Sequence, residues 1–201
     1  MTALTISRFT SRISLPTRYN LAWAQLVQSL SDPCRTPCTI ADCCGSECPR
    51  KDGPCWSPAV FRPNSKYRSV VEVETISCLV LDLNHKPQST VDALRDRLAR
   101  YQHLLHGTHA DRPDDRSMRV VVQLSRSVAP AEWSRFWRAA VDALHAPADP
   151  ICGNLARLYY YPSCPRDADY FVANRDGEAL DVDAVLAAIV PDPRLHEGAA
   201  L

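Results

Sequence analysis

Apolar residues recur at helical spacing near the start of the chain and at shorter spacing further on. From Arg18 to Leu30 (RYNLAWAQLVQSL), Leu21, Trp23, Ala24, Leu26, Val27 and Leu30 share one face and predict a helix. From Ser69 the period shortens. Val70, Val71 and Val73 give one strand signal, and Ile76–Leu83 (ISCLVLDL) gives a second, whose near-continuous hydrophobicity predicts a central strand covered on both faces. Ser89 or Thr90 is placed to cap a helix reaching about Arg100, with Val91, Leu94 and Leu98 inward. Tyr101–His109 and Met118–Leu124 predict two more strands, paired as a hairpin across the polar turn Asp111–Ser117. Pro130, with Glu132 and Trp133 behind it, opens a helix to about His145. Leu155–Tyr161 and Asp169–Ala173 predict further strands, and Asp181–Val190 a capped closing helix.

The order β-β-α-β-β-α-β-β-α contains a βαββαβ unit. The expected class is α+β: an antiparallel, RRM-like sheet backed by helices, preceded by an N-terminal helix and a Cys-rich loop. The expected organisation is a helical segment at 1–31, a Cys/Pro-rich loop at 32–57, the core at 58–190 and a flexible tail at 191–201. With 201 residues, 46% of them hydrophobic, the chain can build the core of one ordinary domain.

Charge narrows the partners. There are 23 basic and 23 acidic side chains, which excludes a basic tail or a wholly cationic DNA-coating protein but leaves room for a local phosphate-binding patch. No run approaches the length of a membrane-spanning helix, and Met1–Asn20, dotted with Arg8, Arg12 and Arg18, lacks the apolar block of a secretory signal. No membrane partner is expected, and the expected location is the cytoplasm.

In such a compartment the cysteines point to metal rather than disulfides. Six of the nine lie at Cys34, Cys38, Cys43, Cys44, Cys48 and Cys55, spaced C-x3-C-x4-C-C-x3-C-x6-C. The expectation is one structural Zn2+ held by four of these six thiolates, letting a Pro-rich loop with few apolar residues fold. The alternative is a tight loop of idle thiols braced by Pro33, Pro37, Pro49 and Pro54. No histidine is nearby in sequence.

Polar residues at strand ends carry the remaining chemistry. Asp82 breaks the run Leu79-Val80-Leu81, with Asn84 and His85 beyond it. A carboxylate there can hold a divalent cation, and period 2 puts Asp82 and Asn84 on one face; the alternative is a turn that the two residues cap. His109 closes YQHLLHGTH, and Arg157 sits in the apolar segment LARLYYY, where a guanidinium needs an anion or a carboxylate.

In order along the chain, WSPAVF, LVLDLNH, LLHGTHA, MRVVVQLSRSV, ADPICGNLARLYYYPSCP and GEALDVDAVL resemble the catalytic core of archaeo-eukaryotic-type primases, in the primase-polymerase branch of plasmids, phages and integrated elements. The resemblance covers about Trp56 to Leu186. It implies metal-dependent nucleotidyl transfer that makes or extends primers on single-stranded DNA from nucleoside triphosphates. Asp82 then matches the first acidic residue of the family's D-x-D motif, which binds Mg2+ or Mn2+. Asn84 stands where the second carboxylate belongs, and Asp149 is the candidate third. His109 matches the small-x-His motif that contacts the triphosphate. Arg119, Arg126 and Arg157 would contact phosphate. In a cluster of carboxylates, removing Asp82 is expected to relieve repulsion and leave stability almost unchanged.

Two other classes compete. A rolling-circle nickase would use a histidine pair and a tyrosine, but His106 and His109 are three residues apart, wrong for two ligands on one strand face. A catalytically degenerate DNA-binding accessory protein is favoured by Asn84. The chain contains no P-loop, so any helicase is expected to be a separate chain.

Overall fold

The structure is a computed structural model that describes residues 3–189. The tail expected at 191–201 and the end of the closing helix at Val190 lie outside the described residues.

Leu4 and Ile6 alternate with Thr5 and Ser7, and this short period-2 stretch forms β1 (Leu4–Phe9), which pairs antiparallel with β2 (Thr17–Leu21). The expected first helix is therefore shorter, α1 (Trp23–Ser31), burying Trp23, Leu26 and Leu30. Its start is held by Gln25, whose side-chain oxygen accepts the Ala22 N–H at 2.8 Å. The Cys-rich segment carries β3 (Cys34–Thr36), two 3-10 turns at Gly45–Glu47 and Pro49–Lys51, and β4 (Cys55–Ser57). β5 (Ala59–Phe61) follows. Val70–Glu72 is a 3-10 turn rather than a strand, and it leads into β6 (Val73–Lys86), one continuous strand of 14 residues.

α2 (Gln88–Arg97) begins earlier than Ser89 or Thr90 would set it. Pro87 fixes the extended backbone at the N-cap, and its carbonyl accepts the Thr90 N–H at 3.0 Å. β7 (His103–Gly107), β8 (Arg116–Val128) and α3 (Pro130–Ala143) fall where the pattern puts them. A 3-10 turn, Pro150–Gly153, precedes β9 (Tyr159–Tyr160), far shorter than expected because residues 154–157 form a turn with the Arg157 N–H donated to the Asn154 carbonyl at 3.0 Å. β10 (Ser163–Pro165), β11 (Val172–Arg175) and α4 (Val182–Ala187) complete the described chain, with the Asp181 carboxylate capping α4.

The fold is mixed α+β. The main sheet has the order β11-β7-β8-β6-β5, all pairs antiparallel, and a second sheet has the order β2-β1-β4-β9. β10 and β3 form a parallel pair. The strand after α3 thus differs from the expected βαββαβ arrangement: β9 leaves the main sheet to pair with β4, and β5 takes the place beside β6.

Both faces of β6 are buried, which is why its sequence reads as an almost unbroken apolar run. Leu79, Leu81 and Leu83 share a core with Val91 and Leu94 of α2 and with Trp133, Phe136 and Ala140 of α3. Cys78 and Val80, on the opposite face, pack with Leu26 and Leu30 of α1, with Ile6, and with Trp56 and Tyr159 of the second sheet. The second face continues to Asp82.

Candidate functional site: a cationic cleft beside a cysteine-histidine cluster

Strand register assembles the site. Asp82 of β6 pairs across the sheet with Arg119 of β8, and Arg119 with His106 of β7. Three polar side chains therefore form a row over three adjacent strands, on the face that buries Cys78 and Val80. Asp82 is only 5% exposed. Its Oδ1 accepts from Arg119 Nε at 2.7 Å and its Oδ2 from Arg119 Nη2 at 3.4 Å, while Arg157 Nη2 stands 3.9 Å away. Arg119 also donates to the Tyr160 carbonyl at 3.1 Å and lies over the Tyr159 ring, 4.5 Å from its centroid. The buried guanidinium thus has a carboxylate, a carbonyl and a π-face.

His106 is wholly buried, and its Nδ1 donates to the Gly107 carbonyl at 2.8 Å. Burial, reinforced by Arg119, holds its pKa down at about 3, so the ring is neutral at pH 7. Nε2 then carries a lone pair, and it has no hydrogen-bond partner among the described residues.

Asp149 joins the row from the loop after α3. Its N–H donates to the Asp82 carbonyl at 2.8 Å, its Oδ1 accepts the Ile151 N–H at 3.0 Å, and its Oδ2 accepts from Asn84 Nδ2 at 3.2 Å. The structure therefore joins the Asn84 and Asp149 side chains, ties Asp149 to Asp82 through the backbone alone, and uses Asp149 to cap the Pro150–Gly153 turn.

Asp82, Asn84, His106 and Arg119 border a cleft of about 640 Å³ between the end of the main sheet and the β9–β10 segment. Asp82 is the one carboxylate in its lining, against Arg12, Lys51, Arg68, Arg119 and Arg157. Among the described residues Arg157 Nε and the Tyr161 hydroxyl are buried without hydrogen-bond partners, so the cleft keeps unspent donors as well as positive charge. Arg12, Lys51 and Arg68 had no sequence signal. They lie in three separate loops, where basic residues read as ordinary surface. His106 could have been singled out as a histidine alternating with Leu104 inside a strand.

Arg126 does not reach the cleft. Its guanidinium is held by Glu132 at 2.9 and 3.0 Å and by Asp183 at 2.7 and 3.1 Å, tying the start of α3 to α4. The expected phosphate contact is a structural ion pair.

His109 lines the cleft, but its reactive nitrogen faces sulfur. Nε2 stands 3.3 Å from Cys43 Sγ and 3.7 Å from Cys38 Sγ, and Nδ1 lies 3.0 Å from Ser163 Oγ. Burial, with Arg112 and Lys51 nearby, lowers its pKa and keeps the ring neutral. Cys38, Cys43, Cys48 and His109 form a Cys3His cluster able to hold a metal ion, with all four ligand atoms within 4.8 Å of one another. The expected set of four thiolates is corrected to three thiolates and an imidazole. Cys34 and Cys44 are exposed and outside the cluster. Cys55 is buried in β4, donates to the Gly53 carbonyl at 3.3 Å, and has its thiol pushed up to about 11 by burial. The His106–His109 pair of a nickase also fails to form a shared site, since one ring points to a backbone carbonyl and the other to thiols.

The family model of the VapE N-terminal domain matches residues 2–192. The chain belongs to the VapE N-terminal domain family. No curated protein matches the sequence. Among solved structures, this VapE N-terminal domain is similar to the AEP domain of the cyanophage S-2L primase-polymerase, at 11% identity and a TM-score of 0.49, over 92% of this chain and 88% of that one. The likeness is distant. No helix among the described residues is long and apolar enough to cross a membrane.

Proposed function

We propose that the cleft binds the triphosphate of an incoming nucleotide and the backbone of single-stranded DNA, and that this domain is a primase-polymerase of a mobile element that makes or extends primers. One observation carries the reading: five basic side chains from separate elements converge on one cleft that also holds Asp82 and Asn84, the latter hydrogen-bonded to Asp149. Arg157, one third exposed, is placed to take phosphate charge, with Arg12, Lys51 and Arg68 around it.

Asp82, Asn84 and Asp149 would hold Mg2+ or Mn2+, and their donors are the hard oxygens such ions take. When bound, a divalent ion would neutralise triphosphate charge and activate the attacking 3′-oxygen. Arg119 fixes the Asp82 carboxylate in orientation, and Asn84 fixes that of Asp149.

A second reading is supported by the same residues. Both oxygens of Asp82 already serve Arg119, and Asn84 is neutral where the resembled motif has a carboxylate. A cleft of this kind also suits binding without joining, the role of a DNA-binding accessory protein. Labelled-nucleotide incorporation on single-stranded DNA with Mn2+, run beside a DNA-binding titration, separates the two. Incorporation supports the primase-polymerase, retained binding without incorporation supports the accessory protein, and loss of both removes the cleft from either role.

A further inference from the structure

The Cys3His cluster lies outside the Asp82 row and has its own chemistry. We propose that Cys38 Sγ, Cys43 Sγ, Cys48 Sγ and His109 Nε2 hold one Zn2+, and that this ion pins the Cys-rich loop to the end of β7 and so builds one wall of the cleft. Three soft sulfurs and an imidazole are a tetrahedral zinc set. Zn–S and Zn–N bonds of about 2.0–2.3 Å put neighbouring ligand atoms about 3.5–4 Å apart. The distances from His109 Nε2 to Cys43 and Cys38, 3.3 and 3.7 Å, are already close to this. Ser163 Oγ lies 3.0 Å from His109 Nδ1, so the hydroxyl can accept the Nδ1–H in the tautomer that leaves Nε2 free for metal. Between Cys43 and Cys48 the chain reverses at Gly45, with φ of +59°, a conformation that favours glycine.

The loop has little else to fold around. Its one large aliphatic side chain between Cys34 and Gly53, Ile40, is 39% exposed, whereas Cys38 and Cys48 are buried. The 3-10 turns at Gly45–Glu47 and Pro49–Lys51 flank Cys48 and carry Ser46 and Lys51 into the cleft lining. A bond from Cys48 to His109, itself a cleft residue, would therefore set where the Lys51 charge stands. The second half of the proposal rests on the anion-binding reading of the cleft; the zinc half does not.

Elemental analysis of the purified full chain should give about one zinc per chain, and Co2+ in its place should give the absorption bands of tetrahedral thiolate ligation. Cys43→Ser, Cys48→Ser and His109→Ala should each lose most of the metal, whereas Cys34→Ser and Cys44→Ser keep it and His109→Cys regains it. Should the variants not fold, chelation of the native chain followed by readdition of Zn2+ tests the same point: loss and recovery of structure support the site. A folded native chain with neither zinc nor cobalt bands overturns it, as does Cys44→Ser losing as much metal as Cys43→Ser. Titration with inorganic tripolyphosphate tests the wall. Affinity should fall about tenfold in Cys43→Ser, as on loss of a charged contact, and stay unchanged in Cys44→Ser. Unchanged affinity in a folded, zinc-free Cys43→Ser overturns the wall and leaves the ion. A native chain that ignores tripolyphosphate strikes at the cleft reading, while the metal measurements still decide the site.

Discussion

Two clusters of ligand-type side chains flank the same cleft, and they balance charge in opposite ways. At the Asp82 row the carboxylate meets a built-in cation. Arg119 grips both oxygens, Arg157 stands behind it, and the charge is settled by the protein. At the Cys3His cluster the ligand atoms face one another, three sulfurs and an imidazole nitrogen within 4.8 Å. A carboxylate at a strand end therefore does not by itself call for metal. What its neighbours do with its charge decides how much attraction is left for an ion.

The largest effect should come from breaking the first cluster. Asp82→Ala leaves the Arg119 guanidinium, 12% exposed, without its counterion, and should cost about 3–5 kcal/mol of stability in urea unfolding. The expected relief of repulsion is thus reversed, because the groups around Asp82 are arginines. Adding Arg119→Met to Asp82→Ala should restore much of the loss. Additive losses in that double mutant would show the pair to be uncoupled.

Acid gives the next effect. The folded pKa of His106, about 3, lies below its unfolded value near 6.5, so the unfolded chain takes the proton first. The stability that comes from keeping this ring neutral is whole above about pH 6.5 and falls by up to about 1.4 kcal/mol per pH unit as pH drops from there towards 3. Melting curves of His106→Gln should flatten over that interval. A slope identical to that of the native chain would remove His106 from the acid response.

Asn84→Asp sharpens the contrast from the other side. It replaces the 3.2 Å hydrogen bond to Asp149 by two facing carboxylates, which should cost about 1 kcal/mol in the metal-free chain at this exposed position. Mn2+ should recover the loss and raise nucleotide incorporation at low metal. If Mn2+ changes neither the melting temperature nor incorporation in this variant, the oxygen group is not a metal site. The smallest stability change belongs to Arg157→Ala, below about 1 kcal/mol, because its ion pair is loose at 3.9 Å and partly in solvent. Its nucleotide affinity should nevertheless fall several-fold more than its DNA affinity, measured by separate titrations.

Much of the main sheet was legible because its two central strands, β6 and β8, are long and largely buried on both faces. β6, β7 and β8 and the helices α2 and α3 stand close to their expected positions. The hairpin β1–β2 was not, since six residues alternating once or twice give little periodic signal. β9 was overestimated because LARLYYY is apolar for core packing rather than for pairing. Asp82, Asn84 and Asp149 were read as one group; the Asn84 and Asp149 side chains meet, whereas Asp149 reaches Asp82 only through a backbone hydrogen bond. The fourth cluster ligand was illegible by spacing, with His109 lying 71 residues from Cys38. A hint existed in Cys38, Cys43 and Cys48, three cysteines at equal intervals and one ligand short of a tetrahedral set.

Only Pro58 separates β4 in the second sheet from β5 in the main sheet, and all six residues of those two strands are buried. The Pro58 carbonyl accepts the Ser77 N–H at 2.9 Å, and Ser57 Oγ donates to the Arg157 carbonyl at 2.7 Å. A one-residue strap of this kind ties the second sheet directly to the main sheet. If the cleft binds an anion as proposed, a notch held in this way predicts capture without a gating step. Its association rate should follow diffusion and long-range attraction, fall steeply with added salt, and depend little on any slow opening of the protein.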